Sequence, residues 1–355
     1  MSRSLVSVLA LVLGSAACGS NNPPPAGADG SVLADAGINV PDAGDFAGPS
    51  FAPSLIEATS ANYLDLALSS DGAPWVAYRA NRVPTLAHRE GSAWRIEAVS
   101  QLDGEDLDVE LGPDGRPIVS FVVGPNLHVA TFDGTRWSDE DAGLTGVGAH
   151  LEVAPDGSLH AAAGNRYLRR ENGTWVSESL ATLATATALA VVGTGTVAVS
   201  YYDPSASELR FARRISEGQW SAEVLQTYAF GAAYVDSTAV AIGPDGTRYV
   251  AWCDNTDLKL AWRGAGGWQS ENITRCSRGR TRLVVDGQSR VHVAHWGTIY
   301  GLRDAAGTWT MTTLGVENLR STSGFTGLAV DGRGQPHLVF TDTAQQLIYY
   351  LAPRG

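Results

Sequence analysis

A repeat of about 43 residues constrains this chain more than any other feature of its sequence. An Asp-Gly turn recurs along the chain, and in four repeats a tryptophan follows the aspartate by 23 residues. The aspartates of these turns are Asp71, Asp114, Asp156, Asp245, Asp286 and Asp331, with Gly193-Thr194-Gly195 in the fourth place. The tryptophans are Trp94, Trp137, Trp175, Trp220, Trp268 and Trp309. A fixed period of this length is typical of stacked repeat architectures.

Each repeat reads as four short strands separated by turns. In the fifth repeat the strands are predicted at 238–242, 249–252, 258–262 and 268–273. Runs this short are not stable alone, but small sheets arranged around an axis bury both of their faces. Nothing in the repeat has helical length or period. The sequence therefore predicts an all-β protein, a β-propeller.

The number of blades follows from the two ends of the repeat region. The seventh repeat supplies three strands, near 328–330, 337–340 and 347–350, and the sequence ends before a fourth. Residues 51–58 resemble the missing fourth strand and precede the first complete repeat. We therefore expect residues 51–355 to form a seven-bladed propeller whose N-terminal strand closes the last blade, with six or eight blades as the alternatives.

The N-terminus has the parts of an export signal, predicted at residues 1–17. Arg3 precedes a short apolar stretch, and small residues lead into Cys18. This arrangement resembles the lipobox of bacterial lipoproteins, which implies lipidation of Cys18 and anchoring to the outer membrane or cell surface. Ser15 stands where the lipobox usually has leucine, so free secretion is the alternative. Residues 18–50 contain the anchor cysteine and a linker rich in Gly, Pro and Ala, which we expect to be a disordered tether.

The repeat itself resembles uncharacterised bacterial propeller lipoproteins and, more loosely, sialidase-like (BNR-type) propellers. The sialidase resemblance implies a site with three arginines, a tyrosine nucleophile and an acid/base carboxyl, but no spacing in this sequence selects such a set. The motifs of serine hydrolases, zinc proteases and phosphate-binding loops are absent. The sequence thus favours a non-enzymatic protein with no assigned catalytic residues.

The net charge of the chain disfavours nucleic acid as a ligand, and the placement of its histidines disfavours a metal site. A net charge of −12 disfavours nucleic acid, because an acidic surface repels phosphates. His160, His292 and His337 share one position of the repeat that other blades fill with large apolar residues, which indicates packing rather than a metal site. No cofactor is predicted, and calcium is left open.

The end of the second strand offers a candidate ligand rim. There an aromatic residue is followed two positions later by aspartate in three repeats, while other repeats break the pattern. The candidate rim residues are Tyr201, Tyr202, Asp203, Trp252, Asp254, His295, Trp296, Phe340 and Asp342. Exposed aromatic and acidic groups could stack on sugars and accept their hydroxyl hydrogen bonds. The alternative is that the aspartates cap the turns that follow them.

Cys253 and Cys276 are the two cysteines beyond Cys18, and in an oxidising envelope they are candidates for a disulfide, with two separate buried thiols as the alternative.

Together these features predict a membrane-anchored envelope or surface binding module that recognises a glycan or a protein partner. A sialidase-like glycoside hydrolase is the first alternative. A structural scaffold subunit of an envelope complex is the second.

Overall fold

The strands of the protein follow the sequence repeat closely. A computed structural model describes residues 50–145, 149–193, 195–229, 235, 237–254, 256–277, 279–296, 299–314 and 322–354. The predicted signal sequence, Cys18 and nearly all of the linker lie outside the described residues. Among the described residues, no helix has the length and apolar character that a membrane crossing requires.

The strands form seven four-stranded antiparallel sheets. The chain begins with β1 (Phe51–Ala58). Blades one and two contain β2 (Ala61–Leu68), β3 (Pro74–Ala80), β4 (Val83–Glu90), β5 (Ala93–Ala98), β6 (Glu105–Leu111), β7 (Pro117–Val123), β8 (Asn126–Phe132) and β9 (Trp137–Thr145). Blades three and four contain β10 (Ala149–Val153), β11 (Leu159–Ala163), β12 (Arg166–Glu171), β13 (Thr174–Ser179), β14 (Thr185–Val192), β15 (Thr196–Asp203), β16 (Glu208–Ser216) and β17 (Gln219–Thr227).

The remaining three blades complete the ring. Blades five and six contain β18 (Ser237–Ile242), β19 (Arg248–Cys253), β20 (Asp257–Gly264), β21 (Gly267–Arg275), β22 (Thr281–Val285), β23 (Val291–His295), β24 (Ile299–Arg303) and β25 (Trp309–Thr313). Blade seven contains β26 (Thr322–Val330), β27 (Pro336–Asp342) and β28 (Leu347–Pro353), and β1 pairs with β28 as its fourth strand. The first strands of successive blades contact one another, and β26 contacts β2. The expected seven-bladed β-propeller is confirmed.

The Asp-Gly turns join the first and second strands of the blades. The Asp114 carboxylate accepts a hydrogen bond from the backbone N–H two residues later, at 3.1 Å, and the other turn aspartates do the same. In blade two the glycine after the aspartate, Gly115, has a φ of +75°. This left-handed conformation strongly favours glycine, which explains the recurring pair. In blades six and seven the left-handed residue lies further along, at Ser289 and Gly334.

A repeated polar contact joins neighbouring blades near their outer edge. Glu178 on β13 accepts hydrogen bonds from the Arg214 guanidinium and from the Trp220 indole of the next blade, at 2.6 and 3.1 Å. We name this arrangement of glutamate, arginine and tryptophan the interblade clamp. It recurs at Glu140, Glu223 and Glu271, so it joins blades two to six in succession. Each glutamate lies three residues after its own blade's tryptophan in the sequence.

The clamp is incomplete between blades one and two and between blades six and seven. In blade two Phe132 occupies the arginine position, and the buried indole N–H of Trp137 has no hydrogen-bond partner among the described residues. In blade seven Phe51 replaces the tryptophan, and Thr312 of blade six stands at the glutamate position, where its buried hydroxyl likewise has no partner in the described part of the chain. These contacts are therefore packed by apolar side chains rather than by ion pairs.

Candidate functional site

The predicted rim residues are mostly buried in the structure. Tyr201, Trp252 and Phe340 are at most 2% exposed, and Tyr202 and His295 are also buried. The Trp252 indole N–H donates to the Tyr228 hydroxyl at 2.8 Å. Rings without an exposed face cannot stack on a sugar. In the structure these aromatic residues are core residues of the blades, while Trp296 remains partly exposed.

The aspartates of the predicted rim cap turns. Asp203 accepts a hydrogen bond from the backbone N–H of Ser205 at 3.0 Å, and Asp254 and Asp342 make equivalent bonds to the residues that follow them. Asp254 also forms an ion pair with Lys259 at 2.6 Å. The turn-capping alternative describes all three side chains, so the residues predicted as one ligand site serve separate local roles.

The two cysteines of the propeller form a disulfide that joins β19 to the segment after β21. The sulfurs of Cys253 and Cys276 are 2.04 Å apart. His295 lies close to them, but its ring nitrogens contact the Ser277 carbonyl and the Thr281 hydroxyl. Because the sulfurs are bonded to each other, neither is available as a metal-binding thiolate.

The histidines that share a repeat position are buried and make equivalent contacts. A ring nitrogen of His160 lies 2.7 Å from the Tyr167 hydroxyl, and His292 and His337 contact the tyrosines at the same place in their blades. The other ring nitrogen of His292 contacts the turn aspartate Asp286. The three side chains lie in different blades and tie strands together within each one, as a packing position would.

Charged side chains come together instead on the first strands, around the axis of the ring. Strand register places one residue from each blade at the same level. We name these residues the channel ring: Asp65, Asp108, His150, Ala188, Ala239, Arg282 and Gly327. Gly327 leaves room for its own strand partner and for blade one, because a Cβ atom there would lie 2.6 Å from the Val339 side chain of β27 and 3.0 Å from the Asp65 backbone.

Arg282 crosses the axis from blade six to the aspartates of blades one and two. Its guanidinium lies 2.6 Å from Asp65 and 3.1 Å from Asp108. The remaining oxygen of each aspartate accepts a backbone N–H from the first strand of the next blade, that of Val109 and Leu151 respectively, at 3.0 Å. All four carboxylate oxygens therefore have partners. This group links four blades and balances most of its own charge.

Two glutamates lie two residues beyond the channel ring, in adjacent blades. Glu110 of β6 and Glu152 of β10 occupy the same level, where the other five blades supply Ala67, Ala190, Ala241, Val284 and Ala329. In the part of the chain that the structure describes, neither glutamate forms a hydrogen bond or an ion pair. They differ in this respect from the aspartates beneath them.

A cavity of about 120 Å³ lies at this level, lined by both glutamates together with Asp65, Asp108, His150 and Arg282. Apolar residues of six blades, including Leu66, Leu151 and Leu328, complete the lining. The volume is sufficient for a few water molecules or one small ligand group. The cavity therefore combines titratable groups with apolar side chains around its circumference.

The environment shifts the proton affinity of every titratable group in this cavity. Burial, opposed by Arg282 and reinforced by Asp108, raises the pKa of Asp65 to about 8. Burial and then the nearby aspartates raise the pKa of Glu152 to about 8, and burial together with Glu152 raises the pKa of Glu110. Burial lowers the pKa of His150 to about 4, so its imidazole is neutral at pH 7. Groups with such shifts in a cavity are candidates for function.

Asp108 behaves in the opposite way. Burial alone would raise the pKa of this carboxyl, but His150 and Arg282 hold it below its ordinary range. Asp65 and Asp108 thus titrate as a pair in which one carboxyl keeps a proton that the other has lost.

None of these cavity residues was predicted from the sequence as a site residue. The available signal was charge within the first strands, which are otherwise apolar. Aligning those strands by their Asp-Gly turns places Asp65 with Asp108 and Glu110 with Glu152.

Comparisons with known proteins show the fold. No protein family model matches the sequence, and no curated protein matches it significantly. Among solved structures, virginiamycin B lyase from Staphylococcus aureus is similar, with a TM-score of 0.59 and 11% identity over 86% of this chain and 99% of the lyase. An α-L-arabinanase from Penicillium chrysogenum, solved with arabinobiose, has a TM-score of 0.53 and 10% identity over 86% of this chain and 99% of its own.

YCF48 bound to the D1 peptide is also similar, with a TM-score of 0.56 and 16% identity over 86% of this chain and 96% of its own. These neighbours are β-propellers and include both enzymes and binding proteins. The chain is accordingly a seven-bladed β-propeller, of a fold that serves binding and catalysis alike.

Proposed function

We propose that this protein is a binding module that receives one group of a glycan or protein partner in its axial cavity. The observation that carries the proposal is that Glu110 and Glu152 line the cavity and have no hydrogen-bond or ion-pair partner among the residues that the structure describes. Both side chains are only partly buried, so a group that enters the cavity can reach them. A ligand that contacts them would supply that partner.

Catalysis by a glycoside hydrolase is the second candidate function. It is favoured by the opposite proton affinities of Asp65 and Asp108, since a protonated and an ionised carboxyl are the pair that such a reaction needs. Binding takes precedence because Arg282 and two backbone N–H groups already occupy the oxygens of both aspartates. A substrate would have to displace those bonds.

The N-terminal sequence supports a location for this module. We propose that the propeller is exported and tethered by residues 18–50 to a lipidated Cys18, at the outer membrane or the cell surface. A partner in the envelope or on a neighbouring surface would then lie within reach. Labelling of the intact chain with radioactive palmitate, compared with Cys18→Ser, tests the anchor directly.

The binding proposal is tested by filling the cavity. The full chain would be applied to a glycan array and to envelope extracts, together with Glu152→Trp and the control Glu97→Trp on the outer strand of blade one. We expect Glu152→Trp to abolish binding that the control retains, with both variants matching the parent circular dichroism spectrum. Equal binding by both variants would contradict a ligand site in the cavity.

The same array distinguishes the hydrolase. Release of reducing sugar from a bound glycan, lost in Asp65→Asn and Asp108→Asn, would favour catalysis over binding. Retention of intact glycan after prolonged incubation would support the binding module.

A further inference from the structure

We propose that Cys253, Cys276 and His295 form a zinc site when the disulfide between the two cysteines is reduced. One ligand atom from each of these side chains lies within 4.8 Å of the other two. The three residues are not among those that line the axial cavity, so this site is independent of the binding proposed there. In the oxidised protein the sulfurs are bonded to each other, and the site forms only after that bond is broken.

Strands of neighbouring blades hold two of the three ligands in place. Cys253 is the last residue of β19, and His295 is the last residue of β23. Both side chains are at most 1% exposed. Cys276 follows β21 and is partly exposed. The ligands on the strand ends are therefore fixed by the fold, and the segment that carries Cys276 is the part that has to adjust.

The donor set suits zinc. Two thiolates and an imidazole are ligands that zinc uses in tetrahedral sites, whereas calcium and magnesium prefer oxygen. With zinc bonds of about 2.0–2.3 Å, the ligand atoms of a tetrahedron lie about 3.3–3.8 Å apart. The limit of 4.8 Å among the present atoms therefore has to close by about 1 Å. Rotation of the two cysteine side chains supplies such a movement once the sulfurs are free.

A backbone carbonyl marks the fourth position of the tetrahedron. The Ser277 carbonyl oxygen lies 2.8 Å from Nε2 of His295 and 3.3 Å from Sγ of Cys253. It thus sits between two of the proposed ligands. This oxygen, or a water molecule bound beside it, would complete the coordination. Ser277 itself is exposed, which gives an ion a path from solvent.

The other side of the His295 ring provides an independent observation. Nδ1 lies 3.1 Å from the hydroxyl of Thr281, which is 1% exposed. Metal-binding histidines almost always donate their second ring N–H to an acceptor, which fixes the ring and its tautomer. In the oxidised protein Nε2 donates to the Ser277 carbonyl. When the ring proton is instead on Nδ1 and donated to Thr281, the lone pair of Nε2 points toward the sulfurs, so Thr281 is a positioning residue.

Thiol–disulfide exchange with a dithiol reductant opens the site. A thiolate of the reductant attacks Sγ of Cys276, the sulfur–sulfur bond breaks, and Cys253 leaves as a thiolate. The second thiol of the reductant then resolves the mixed disulfide and frees Cys276. The dithiol is oxidised by two electrons to its own disulfide, and both cysteines are reduced. Zinc binding releases the two thiol protons to water. Zinc then holds Cys276 to the ends of β19 and β23, as the disulfide holds it to β19.

Cobalt titration tests the site in the full chain. All samples carry Cys18→Ser, so that Cys253 and Cys276 are the only thiols. The protein is reduced with a phosphine, separated from the reductant without oxygen, and titrated with Co²⁺. Thiolate–cobalt complexes absorb in the near ultraviolet, and tetrahedral cobalt absorbs in the visible range. Displacement of the cobalt then measures the affinity for zinc, and calcium chloride is titrated in parallel.

Three variants separate the proposed ligands from the rest of the fold. His295→Gln removes the imidazole, and Thr281→Val keeps the shape of its side chain but removes the acceptor for Nδ1. His160→Gln is the matched control, because it replaces another buried histidine, in blade three. The circular dichroism spectrum of each variant is compared with that of the parent in both redox states.

We expect the reduced chain to bind one cobalt ion with a thiolate band, and the oxidised chain to show no such band. The zinc affinity should fall about 10–100-fold in Thr281→Val, further in His295→Gln, and stay unchanged in His160→Gln. Absence of the band in the reduced parent, displacement of cobalt by calcium, or equal zinc affinity in the parent, His295→Gln and Thr281→Val would overturn the inference. Loss of the parent spectrum in the reduced, zinc-loaded chain would also overturn it, since the thiols would then bind metal in an unfolded chain. Should His295→Gln fail to fold, Thr281→Val decides.

Discussion

Replacing Arg282 by methionine tests whether the channel ring is held together by charge. The guanidinium is the one side chain that contacts both Asp65 and Asp108 among the described residues, and both aspartates are less than a tenth exposed. Methionine is unbranched and uncharged, and its side chain is shorter than that of arginine. The two carboxyls would keep their backbone N–H donors from the next blades but would lose their shared cation.

The structure sets the size of the effect. Breaking a buried ion pair by removing one partner typically costs about 3–5 kcal/mol, because the other charge stays buried and unpaired. The carboxylate left without its cation can avoid this cost by taking up a proton and becoming neutral. Protonating an aspartate of ordinary pKa near 3.9 at pH 7 costs about 4 kcal/mol, which agrees with that range. We therefore expect Arg282→Met to lower the free energy of unfolding by about 4 kcal/mol at pH 7.

The stability lost in Arg282→Met should depend on pH, and the direction follows from the pKa of Asp108. Without Arg282 the pKa of Asp108 in the folded protein should rise above its unfolded value, so the variant loses stability as pH increases. The deficit relative to the parent should shrink by up to about 2.7 kcal/mol on going from pH 7 to pH 5. His150 does not offset this change, because its pKa of about 4 keeps it neutral across the interval.

Urea unfolding followed by tryptophan fluorescence measures these differences. The matched comparison is Arg282→Met combined with Asp65→Asn and Asp108→Asn, in which the amide oxygens can still accept the backbone N–H groups. This triple variant should recover most of the loss and show little dependence on pH. A cost below about 1 kcal/mol for the single variant, or a cost equal at pH 5 and pH 7, would refute the electrostatic account of the ring.

Three further measurements test other parts of the structure. Glu178→Ala should destabilise the protein by about 2–4 kcal/mol in urea unfolding, because it leaves the arginine and tryptophan of the next blade without their acceptor. Glu97→Ala at the equivalent position of blade one is the control and should cost under about 0.5 kcal/mol. Equal costs would contradict the clamp. Cys253→Ser with Cys276→Ser should cost about 3 kcal/mol, from the loop of 23 residues that the disulfide closes, and a melting temperature equal to the parent's would argue against that contribution. The free energy of unfolding should decline between pH 5 and pH 8, because a carboxyl whose pKa rises on folding stabilises the folded state less as pH increases. Glu152→Gln should reduce this decline by up to about 4 kcal/mol. An unchanged slope would show that Glu152 does not titrate in this range.

The fold could be predicted because its signals are local. The Asp-Gly turn requires a left-handed residue and a short capping side chain, and both leave a mark in the sequence wherever the turn occurs. The strands predicted in the fifth repeat agree with β18 to β21 to within two residues at each end. The closing strand was also accessible, because Phe51 stands where the other blades have tryptophan.

The rim could not be predicted by the same means. Alternation of polar and apolar residues identifies the exposed side of a sheet only when the other side is covered. In a propeller both faces of each blade are covered by neighbouring blades, so Trp252 and Phe340 carry no sequence mark that separates a buried ring from an exposed one. The cavity was missed for a different reason, since it is assembled from residues about one repeat apart whose proximity depends on closure of the ring.

Differences between blades distinguish structural roles from a ligand-binding role. The clamp glutamates recur through consecutive blades with the same partners, as expected of a contact that each blade needs in the same way. The residues of the channel ring differ from blade to blade. Its charges are nevertheless paired, since Arg282 contacts both aspartates. Glu110 and Glu152 occur in two adjacent blades only, and among the described residues neither has a hydrogen-bond or ion-pair partner. Alanine fills the same level in four other blades, so packing at this level does not require a carboxyl. The two carboxyls that line the cavity are therefore the strongest reason to look for a ligand at this end of the axis.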